Sequence, residues 1–364
     1  MSEKTPRYLD VVNYIYSELE KGNLKEGDRL PSEKELCDRF GLSRQTIRHA
    51  TGLLEERGLI TRVRGSGSYI GEAASSESRP RYMNIAVMLT YLDNYIFPPV
   101  VRGISDVLSR SGYSMQLNFT DNCVEREENI LQNLLSNQNI DALIAEPSQG
   151  ALPNPNRELF LELKERRIPV LFINASYPDL DFPCVRLDDE WIACQAVHLL
   201  VQKGHEKIAG IFHCEDSQGT LRYLGYRRGL QECGIRLRSD RVIWLDTKGV
   251  QDTEELTAYI RKRIGDCTAV LTYNDEVASR LIAGCKNAGL HLPEDLSIIS
   301  VDDAKMAAEI RPSLTTFPHP KEVLGKTAAE NILHMIDNPA FDGNRLFRPE
   351  VILRDSVLDR TNEE

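Results

Sequence analysis

Short apolar runs alternate with helical segments throughout residues 83–360 of the 364-residue chain. The runs at 85–89 and 142–145 have the length of buried strands. The helical segment 100–111 stops at Gly112, and glycine readily adopts the left-handed conformation with which many helices end. Because parallel strands are joined by crossover helices, this alternation predicts parallel sheets with helices on both faces. The segment is long for one open sheet, so we expect two doubly wound α/β lobes.

The first 72 residues differ in charge from the rest of the chain. They hold 12 Lys or Arg and 12 Asp or Glu, so the whole formal net charge of −11 belongs to the remainder. Between the two parts, residues 73–80 are A-A-S-S-E-S-R-P, a composition typical of linkers. We therefore predict a small N-terminal domain at 1–72, a linker at 73–82 and a larger domain at 83–360.

Two short helices joined by a tight turn are predicted within the N-terminal domain. Ser32 and Glu35 form the S-x-x-E pattern of a capping box at the start of the first helix. Ser43 suits the N-cap of the second helix, which we expect to run to Gly58. Its apolar residues recur at helical spacing and should face inward; they are Ile47, Ala50 and Leu54. This arrangement leaves a polar and basic face at the beginning of the second helix.

A glycine-tipped hairpin follows the two helices. Residues 59–63 and 68–70 have strand character and flank Arg64, Gly65, Ser66 and Gly67. Helices, turn and hairpin together predict an α+β winged helix-turn-helix. In such a domain the second helix enters the major groove, where arginine pairs with guanine and glutamine with adenine. Arg44, Gln45 and Arg48 have the position for base contacts, and Lys34, Arg62 and Arg64 for the DNA backbone; the alternative is a solvated charged face.

The same segment resembles the gluconate-repressor (GntR) family of bacterial regulators. The resemblance rests on P-S-E-K-E-L at 31–36, S-R-Q-T-I-R at 43–48, G-L-I at 58–60 and the G-S-G-S-Y wing. It implies that operator DNA is contacted by the start of the second helix, the preceding helix and the wing. The candidate DNA-binding residues are Lys34, Ser43, Arg44, Gln45, Thr46, Arg48, Arg62, Arg64, Gly65 and Gly67.

Polar side chains follow several of the predicted strands in the larger domain. Glu146 comes directly after 142–145, and Asp302 and Asp303 come directly after a strand at 296–301. Ligands of open α/β sheets bind at the carboxyl ends of the strands, so these side chains are candidates for a binding site. Carboxylates, amides and arginine suit a small polar ligand. Asp303 fits a turn equally well, and His319, between two prolines, equally fits a structural histidine.

The larger domain is similar to the effector domain of the lactose/galactose-repressor (LacI) family, which is built like periplasmic sugar-binding proteins. The similarity rests on K-G-H-E-K-I-A-G-I-F at 203–212 and L-P-E-D-L-S-I-I-S-V-D-D at 292–303. It implies two lobes with a ligand cleft between them. It assigns ligand contacts to Arg222, to Asn274 of an N-D-x-x-A motif that ends at Ala278, and to Asp302.

A GntR-type reader joined to a LacI-type effector domain resembles the arabinose-utilisation repressors of Gram-positive bacteria. Y-I-F-P at 95–98 and H-P-K-x-V-L-G-K at 319–326 extend this resemblance. It implies a homodimer on double-stranded operator DNA, with L-arabinose or a similar sugar as the effector that releases it. The full candidate ligand set is Tyr95, Glu146, Arg222, Asn274, Asp302 and His319. The alternatives are a different sugar, a ligand that acts as corepressor, or a sugar receptor without DNA function.

Other classes of protein lack support in the sequence. We find no G-x-S-x-G, H-E-x-x-H, Walker or G-x-G-x-x-G signature in the required context, so we expect no enzyme activity and no cofactor. The eight cysteines form no C-x-x-C pair, so their spacing predicts neither a metal site nor a disulfide framework. No apolar run approaches the roughly 20 residues of a membrane span, and no secretory signal is evident, so we expect a cytoplasmic protein without membrane contact.

Overall fold

A computed structural model describes most of the chain and divides it into two compact units, residues 1–81 and 82–364. The described residues are 8–20, 23–56, 59–63, 66–71, 81–92, 95–137, 139–251 and 260–361. Residues 73–80 of the predicted linker, and Gly58, Arg64 and Gly65 of the predicted helix end and wing, lie outside these ranges.

The described residues of the N-terminal unit form three helices and a two-stranded antiparallel sheet. The helices are α1 (Tyr8–Glu20), α2 (Glu33–Phe40) and α3 (Arg44–Glu56), and the strands are β1 (Ile60–Val63) and β2 (Gly67–Ile70). The predicted capping box is confirmed, because the Ser32 hydroxyl accepts from the Glu35 amide while the Glu35 carboxylate accepts from the Ser32 amide. The three inward residues of α3 are fully buried in one core with α1 and α2, as predicted.

The first lobe of the larger unit is a six-stranded parallel sheet in the order β13-β7-β6-β5-β3-β4. Its strands are β3 (Asn84–Leu89), β4 (Ser114–Phe119), β5 (Ala142–Ala145), β6 (Val170–Ile173), β7 (Cys184–Leu187) and β13 (Arg345–Phe347). Its helices are α4 (Phe97–Arg110), α5 (Val124–Asn137), α6 (Arg157–Glu165) and α12 (Lys321–Asp337). Separate apolar clusters cover its two faces, as a doubly wound sheet requires.

The second lobe is a five-stranded parallel sheet in the order β12-β11-β10-β8-β9. Its strands are β8 (Ile208–His213), β9 (Val242–Leu245), β10 (Ala269–Thr272), β11 (Ser297–Asp302) and β12 (Thr315–Pro318). Its helices are α7 (Asp189–Gln202), α8 (Ser217–Glu232), α9 (Thr247–Gln251), α10 (Asp275–Asn287) and α11 (Lys305–Glu309). Short helical turns at Ser239–Arg241 and Ile260–Ile264 complete the described part of this lobe.

The chain passes between the two lobes three times, after β7, after β12 and after β13. The first passage leads to α7, which packs on α8, and the second leads to α12, which packs on α4. The third returns to the second lobe, where Ile352 pairs with Thr316. The predicted two-lobed parallel architecture is thus confirmed. Strands β7, β9 and β13, which are three or four residues long, were not predicted.

Candidate functional site

A cleft of about 750 Å³ lies between the two lobes. We call this cavity the cleft throughout. It opens where the carboxyl ends of strands from both sheets face each other, as expected for open α/β sheets. The structure brings together all six candidate ligand residues in its lining: Tyr95, Glu146, Arg222, Asn274, Asp302 and His319.

Arg222 is held in a fixed position by partners on the second lobe. It lies on α8 and is almost fully buried, and its Nε donates to Oδ1 of the completely buried Asp189 at 2.8 Å. Its Nη1 donates to the carbonyl oxygen of Tyr273, and its guanidinium lies 4.8 Å from the centre of the Tyr273 ring. Burial opposes the charged form, but attraction to Asp189 and Asp302 outweighs it and raises the pKa of Arg222. The cleft therefore contains a permanent, preorganised cation.

Asp189 is a functional candidate that the sequence analysis missed. It stands at the first position of α7, immediately after the first passage between the lobes, and is 0% exposed. Its Oδ2 has no hydrogen-bond partner among the described residues. The strand-end rule would have indicated D-D-E at 188–190, but β7, the strand before it, was not recognised in the sequence.

A hydrogen bond across the cleft joins the two lobes. The Tyr95 hydroxyl, just before α4 of the first lobe, donates to Oδ2 of Asp302 at the end of β11, at 2.5 Å. Burial raises the pKa of both groups. Asp302 and Asp303 both have positive φ, 114° and 46°, a strained conformation that is often found at functional sites. Asp303 also pairs with Arg354 at 2.7 Å, which favours its structural role in this turn.

A chain of polar contacts crosses from the first lobe to His319. The Thr90 hydroxyl donates to Oε2 of Glu146 at 2.5 Å, and Asn174 Nδ2 donates to its Oε1 at 2.9 Å. His319 Nε2 lies 3.1 Å from Oδ1 of Asn174. Because that oxygen can only accept, Nε2 carries the proton and Nδ1 is an acceptor. Asn174 was missed as a site residue, although it directly follows β6 and the strand-end rule selects it.

The protonation states of this polar chain follow from burial. Burial raises the pKa of Glu146 to about 7, against the hydrogen bonds from Thr90 and Asn174. Burial, with the nearby charges of Lys321 and Arg222, lowers the pKa of His319 to about 3. His319 is therefore neutral near pH 7, and its buried Nδ1 has no hydrogen-bond partner among the described residues. A ligand hydroxyl could donate to that nitrogen.

Asn274 has a double role in the structure. It is the N-cap of α10, and its Oδ1 accepts from the Val277 amide at 3.0 Å. The side-chain oxygen Oδ1 is therefore used to cap the helix, and the side-chain Nδ2 can donate a hydrogen bond to a ligand. The neighbouring Asp275 is fully buried and accepts from the Ala304 amide and the Thr316 hydroxyl, so it holds α11 and β12 in place.

Exposed polar side chains surround the beginning of α3 in the N-terminal unit. The Ser43 hydroxyl accepts from the Thr46 amide at 3.2 Å and contacts the Thr46 hydroxyl at 2.8 Å, as expected of an N-cap. Arg44, Gln45 and Arg48 are exposed, and so is Lys34 on α2. We call these four exposed side chains the DNA-reading surface, after the function that the sequence predicts for them. Arg48 pairs with Glu33 at 3.0 Å, so any DNA contact of Arg48 competes with this ion pair.

Residues of the predicted wing contact other parts of the N-terminal unit, which the sequence did not indicate. Arg62 donates to the Thr51 hydroxyl at 2.8 Å and pairs with Glu55 at 3.1 Å, so its guanidinium is engaged with α3. Gly67 has a φ of +128°, a backbone conformation that residues with a side chain rarely adopt. A Cβ at this position would lie 3.1 Å from Nε of Arg29. Arg29, which pairs with Tyr69 of β2 in an isolated antiparallel bridge, was missed in the sequence. Arg64 and Gly65 lie outside the described residues.

No helix within the described ranges is both long and apolar enough to cross a lipid bilayer. The eight cysteines all lie in those ranges and are all free thiols.

Comparison with known proteins supports both parts of the architecture. Residues 7–70 match the family model of the bacterial regulatory proteins of the gntR family, and residues 197–357 match that of a periplasmic binding protein-like domain. The chain is 34% identical to the arabinose metabolism transcriptional repressor of Geobacillus stearothermophilus, across 99% of this chain and 100% of that one. The expected winged helix-turn-helix followed by a two-lobed α/β domain is confirmed.

Two solved structures resemble the larger unit. The transcription regulator CcpA of Lactococcus lactis has 26% identity and a TM-score of 0.67, covering 77% of this chain and 100% of its own. A LacI family transcriptional regulator from Enterococcus faecium, with bound ribose, has 26% identity and a TM-score of 0.64, covering 76% and 99%.

Proposed function

The chain belongs to the family of the arabinose metabolism transcriptional repressors, and on this premise we propose that it is an operator-binding repressor released from DNA by L-arabinose. The observation that carries the proposal is the combination of an exposed DNA-reading surface with a polar cleft in one chain. In this proposal residues 1–72 bind DNA, and residues 83–360 bind the sugar and form the dimer. Residues 73–82 link these two domains. Such a repressor acts in the bacterial cytoplasm, where operator DNA is found.

The cleft has the chemistry to bind a small neutral sugar. Arg222 offers donors in a fixed fork, Asp302 and Glu146 offer acceptors, and neutral His319 offers one further acceptor at Nδ1. Sugar hydroxyls both donate and accept, so a mixed set of this kind can satisfy several of them at once. We propose that all six candidate residues contact the sugar, with Asp189 fixing the orientation of Arg222.

The DNA-reading surface has the chemistry to bind an operator. The first two turns of α3 present Arg44, Gln45 and Arg48, the residue types that pair with guanine and adenine in the major groove. Lys34 has the charge for a phosphate contact. A homodimer would present two such helices to two half-sites, so the spacing between the half-sites depends on the geometry of the dimer.

Sugar binding can be coupled to DNA release through the relative population of closure states of the two lobes. The bonds from Tyr95 to Asp302 and from His319 to Asn174 already join opposite sides of the cleft. A sugar that binds these same groups changes the free-energy difference between closure states. A ligand shifts such an equilibrium only by its difference in affinity for the two states. A coupling free energy of about 1–3 kcal/mol, typical of allosteric proteins, corresponds to a change in DNA affinity of about 5- to 150-fold.

A second candidate function is regulation by a different pentose. The specific observation behind it is the ribose bound to the Enterococcus faecium regulator, whose fold the larger unit shares. Aldopentoses such as L-arabinose, D-ribose and D-xylose differ only in stereochemistry, and a rigid polar cleft distinguishes them because the wrong isomer leaves donors and acceptors unpaired.

The test is a sugar panel on the full-length protein combined with operator binding. Calorimetry with L-arabinose, D-ribose and D-xylose identifies the sugar, and gel shifts on promoter fragments of sugar-utilisation genes report DNA affinity. We expect L-arabinose to bind most tightly and to release the DNA, whose binding should also weaken steeply with salt because phosphate contacts displace counterions. Tightest binding of ribose would favour the second candidate. DNA binding that is equal with and without every sugar would exclude both, and stronger DNA binding with sugar would indicate a corepressor.

A further inference from the structure

Helices α7 and α8 of the second lobe pack unusually closely because glycines line their contact. A Cβ on Gly225 would lie 2.0 Å from the carbonyl oxygen of Glu190, and one on Gly229 would lie 3.0 Å from that of Cys194. Neither position leaves room for a side chain. The two helices therefore approach each other with little between their backbones, and side chains at the edge of the contact are drawn together.

Three potential metal ligands meet at this edge. Cys194 and His198 stand one helical turn apart on α7, and Glu232 is the last residue of α8. His198 Nε2 lies 3.0 Å from Oε2 of Glu232, Cys194 Sγ lies 3.4 Å from the same oxygen, and Sγ lies 3.9 Å from Nε2. Each residue thus directs one donor atom to a common point.

These separations match those around a tetrahedral zinc ion. With Zn–S near 2.3 Å and Zn–N and Zn–O near 2.0 Å, tetrahedral angles place the donor atoms about 3.3 Å apart for N and O and about 3.5 Å apart for the pairs with sulfur. The observed separations differ from these by only a few tenths of an ångström. One thiolate, one imidazole and one carboxylate form a donor set typical of Zn²⁺, and less typical of Mg²⁺ or Ca²⁺, which prefer oxygen.

We propose that Cys194, His198 and Glu232 form a binding site for Zn²⁺, with water at the fourth position. None of the three lines the cleft, so the site is separate from the proposed sugar site. Two of the ligands are four positions apart on α7, and the third comes from α8. This is not the sequence spacing of a zinc finger. The site is assembled only by the packing of α7 against α8.

Arg228 supplies an outer contact that fits this arrangement. Its Nε lies 3.5 Å from Oε1 of Glu232, the oxygen that does not face Cys194 and His198, and its Nη1 donates to Glu190 at 2.5 Å. A partner on the second carboxylate oxygen orients the first toward a metal, as outer-shell contacts commonly do. The guanidinium also offsets part of the negative charge of a thiolate and a carboxylate.

A metal at this site would tie together the two helices that carry the Asp189–Arg222 ion pair. Asp189 and Cys194 belong to α7, and Arg222 and Glu232 belong to α8. Cross-linking the helices at one point restricts their relative movement along the whole contact. Bound Zn²⁺ should therefore stabilise the folded state, because it binds the folded protein more tightly than the unfolded chain.

The experiment uses the full-length protein freed of metal with a chelator, and Co²⁺ as a spectroscopic substitute for Zn²⁺. We expect one equivalent of Co²⁺ to produce visible bands of tetrahedral intensity and a near-ultraviolet band from thiolate ligation, and one equivalent of Zn²⁺ to abolish them by displacement. Zn²⁺ should also raise the thermal midpoint of the metal-free protein. Absence of stoichiometric binding would overturn the proposal.

Variants assign the site to these residues. Cys194→Ser should lose the thiolate band. His198→Ala and Glu232→Gln should each weaken metal binding by more than about 100-fold, because loss of an outer contact alone costs about 10- to 100-fold. Glu232 is exposed, so its variant tests the site without disturbing the core. Cys233→Ser, the next residue, serves as the matched control and should bind like the unmodified protein. Retention of the thiolate band in Cys194→Ser, or unchanged affinity in the other two, would refute the assignment.

Discussion

The charged side chains of the DNA-reading surface are exposed to solvent, whereas those of the candidate ligand residues in the cleft are buried. On α3 and α2 the cations Arg44, Arg48 and Lys34 are exposed, and the ion pair that Arg48 forms with Glu33 is largely in solvent. In the cleft, Arg222 and Asp189 are buried against each other, and Asp302 is buried beside them. Exposed pairs contribute little to stability, whereas buried charges must be paired and hydrogen-bonded to be tolerated.

This difference fits two different kinds of partner. A polyanion such as DNA is attracted by solvated cations that can reorient to meet phosphates and bases, and its binding depends on salt. A small neutral ligand needs donors and acceptors that are already fixed, because it has little binding energy with which to organise them. In the proposed function the same residue type, arginine, therefore has two roles, and its surroundings decide which one.

The largest effect is expected from removing the buried cation. Arg222→Ala leaves Asp189 buried without its partner, which should lower the stability of the larger unit by about 3–5 kcal/mol and abolish sugar binding. Operator binding should persist without response to sugar. Arg222→Lys, which keeps the charge but not the fork, should fold better and still lose sugar affinity. Calorimetry and gel shifts measure both properties.

Arg227→Ala is the matched control for this prediction, because Arg227 is an exposed arginine on the same helix. It should leave sugar affinity and stability unchanged. If Arg222→Ala bound sugar as tightly as the unmodified protein, Arg222 would not belong to the site.

A smaller effect, in the opposite function, is expected at the DNA-reading surface. Arg44→Ala and Arg48→Ala should each weaken specific operator binding by about 1–3 kcal/mol, or about 5- to 150-fold, while sugar affinity remains unchanged. Glu33→Gln should strengthen DNA binding slightly, because it frees Arg48 from its ion pair. Gel shifts at fixed salt provide the measurement.

Arg110→Ala removes an exposed arginine from the larger unit and controls for the change in net charge. A loss of DNA affinity as large in Arg110→Ala as in Arg44→Ala would indicate a general charge effect in place of base recognition.

A pH-dependent effect is expected in the cleft. Burial raises the pKa of Glu146 from 4.5 to about 7, so the folded state binds this proton more tightly than the unfolded chain. The resulting stability is fully present below about pH 4.5 and is lost as the pH rises through about 7, with a slope of at most about 1.4 kcal/mol per pH unit. Glu146→Gln should flatten the stability profile in this range. Asp275, whose pKa is also raised to about 7 by burial, acts in the same direction and keeps part of the slope.

His319 acts in the opposite direction within the same cleft. Its pKa is lowered to about 3, so its contribution is present above about pH 6.5 and is lost as the pH falls toward 3. Urea unfolding can be followed by tryptophan fluorescence, because both tryptophans, Trp191 and Trp244, belong to the larger unit. Glu158→Gln, at an exposed carboxylate, is the control. An unchanged profile in Glu146→Gln would mean that folding does not raise the pKa of Glu146.

The smallest effect is expected at the capping box of α2. Ser32→Ala removes the hydroxyl that accepts from the Glu35 amide and should lower the stability of the N-terminal unit by about 1 kcal/mol. The larger unit and its sugar affinity should not change. Scanning calorimetry measures both units, and Thr61→Ala, at an exposed position on β1, is the control. Destabilisation of the larger unit by Ser32→Ala would contradict the division into two units.

The sequence predicted most of the scaffold because the relevant signals are local. The capping box at Ser32, the inward face of α3 and the strands β3, β5 and β8 each depend on residues within one turn or one strand. The strand-end rule also selected Glu146, Asn274 and Asp302, and the family resemblance assigned ligand contacts to Arg222, Asn274 and Asp302. Strands β7, β9 and β13 escaped prediction, and with β7 the signal for Asp189 was lost.

What the sequence alone determined is the type of most elements and the two kinds of domain, because periodicity and capping are properties of neighbouring residues. Only the tertiary structure decided which distant side chains share a site. Asp189 meets Arg222 across 33 residues, and Tyr95 meets Asp302 across 207. Whether an arginine remains solvated like Arg44 or is paired and buried like Arg222 depends on the elements packed around it, and no local pattern specifies those.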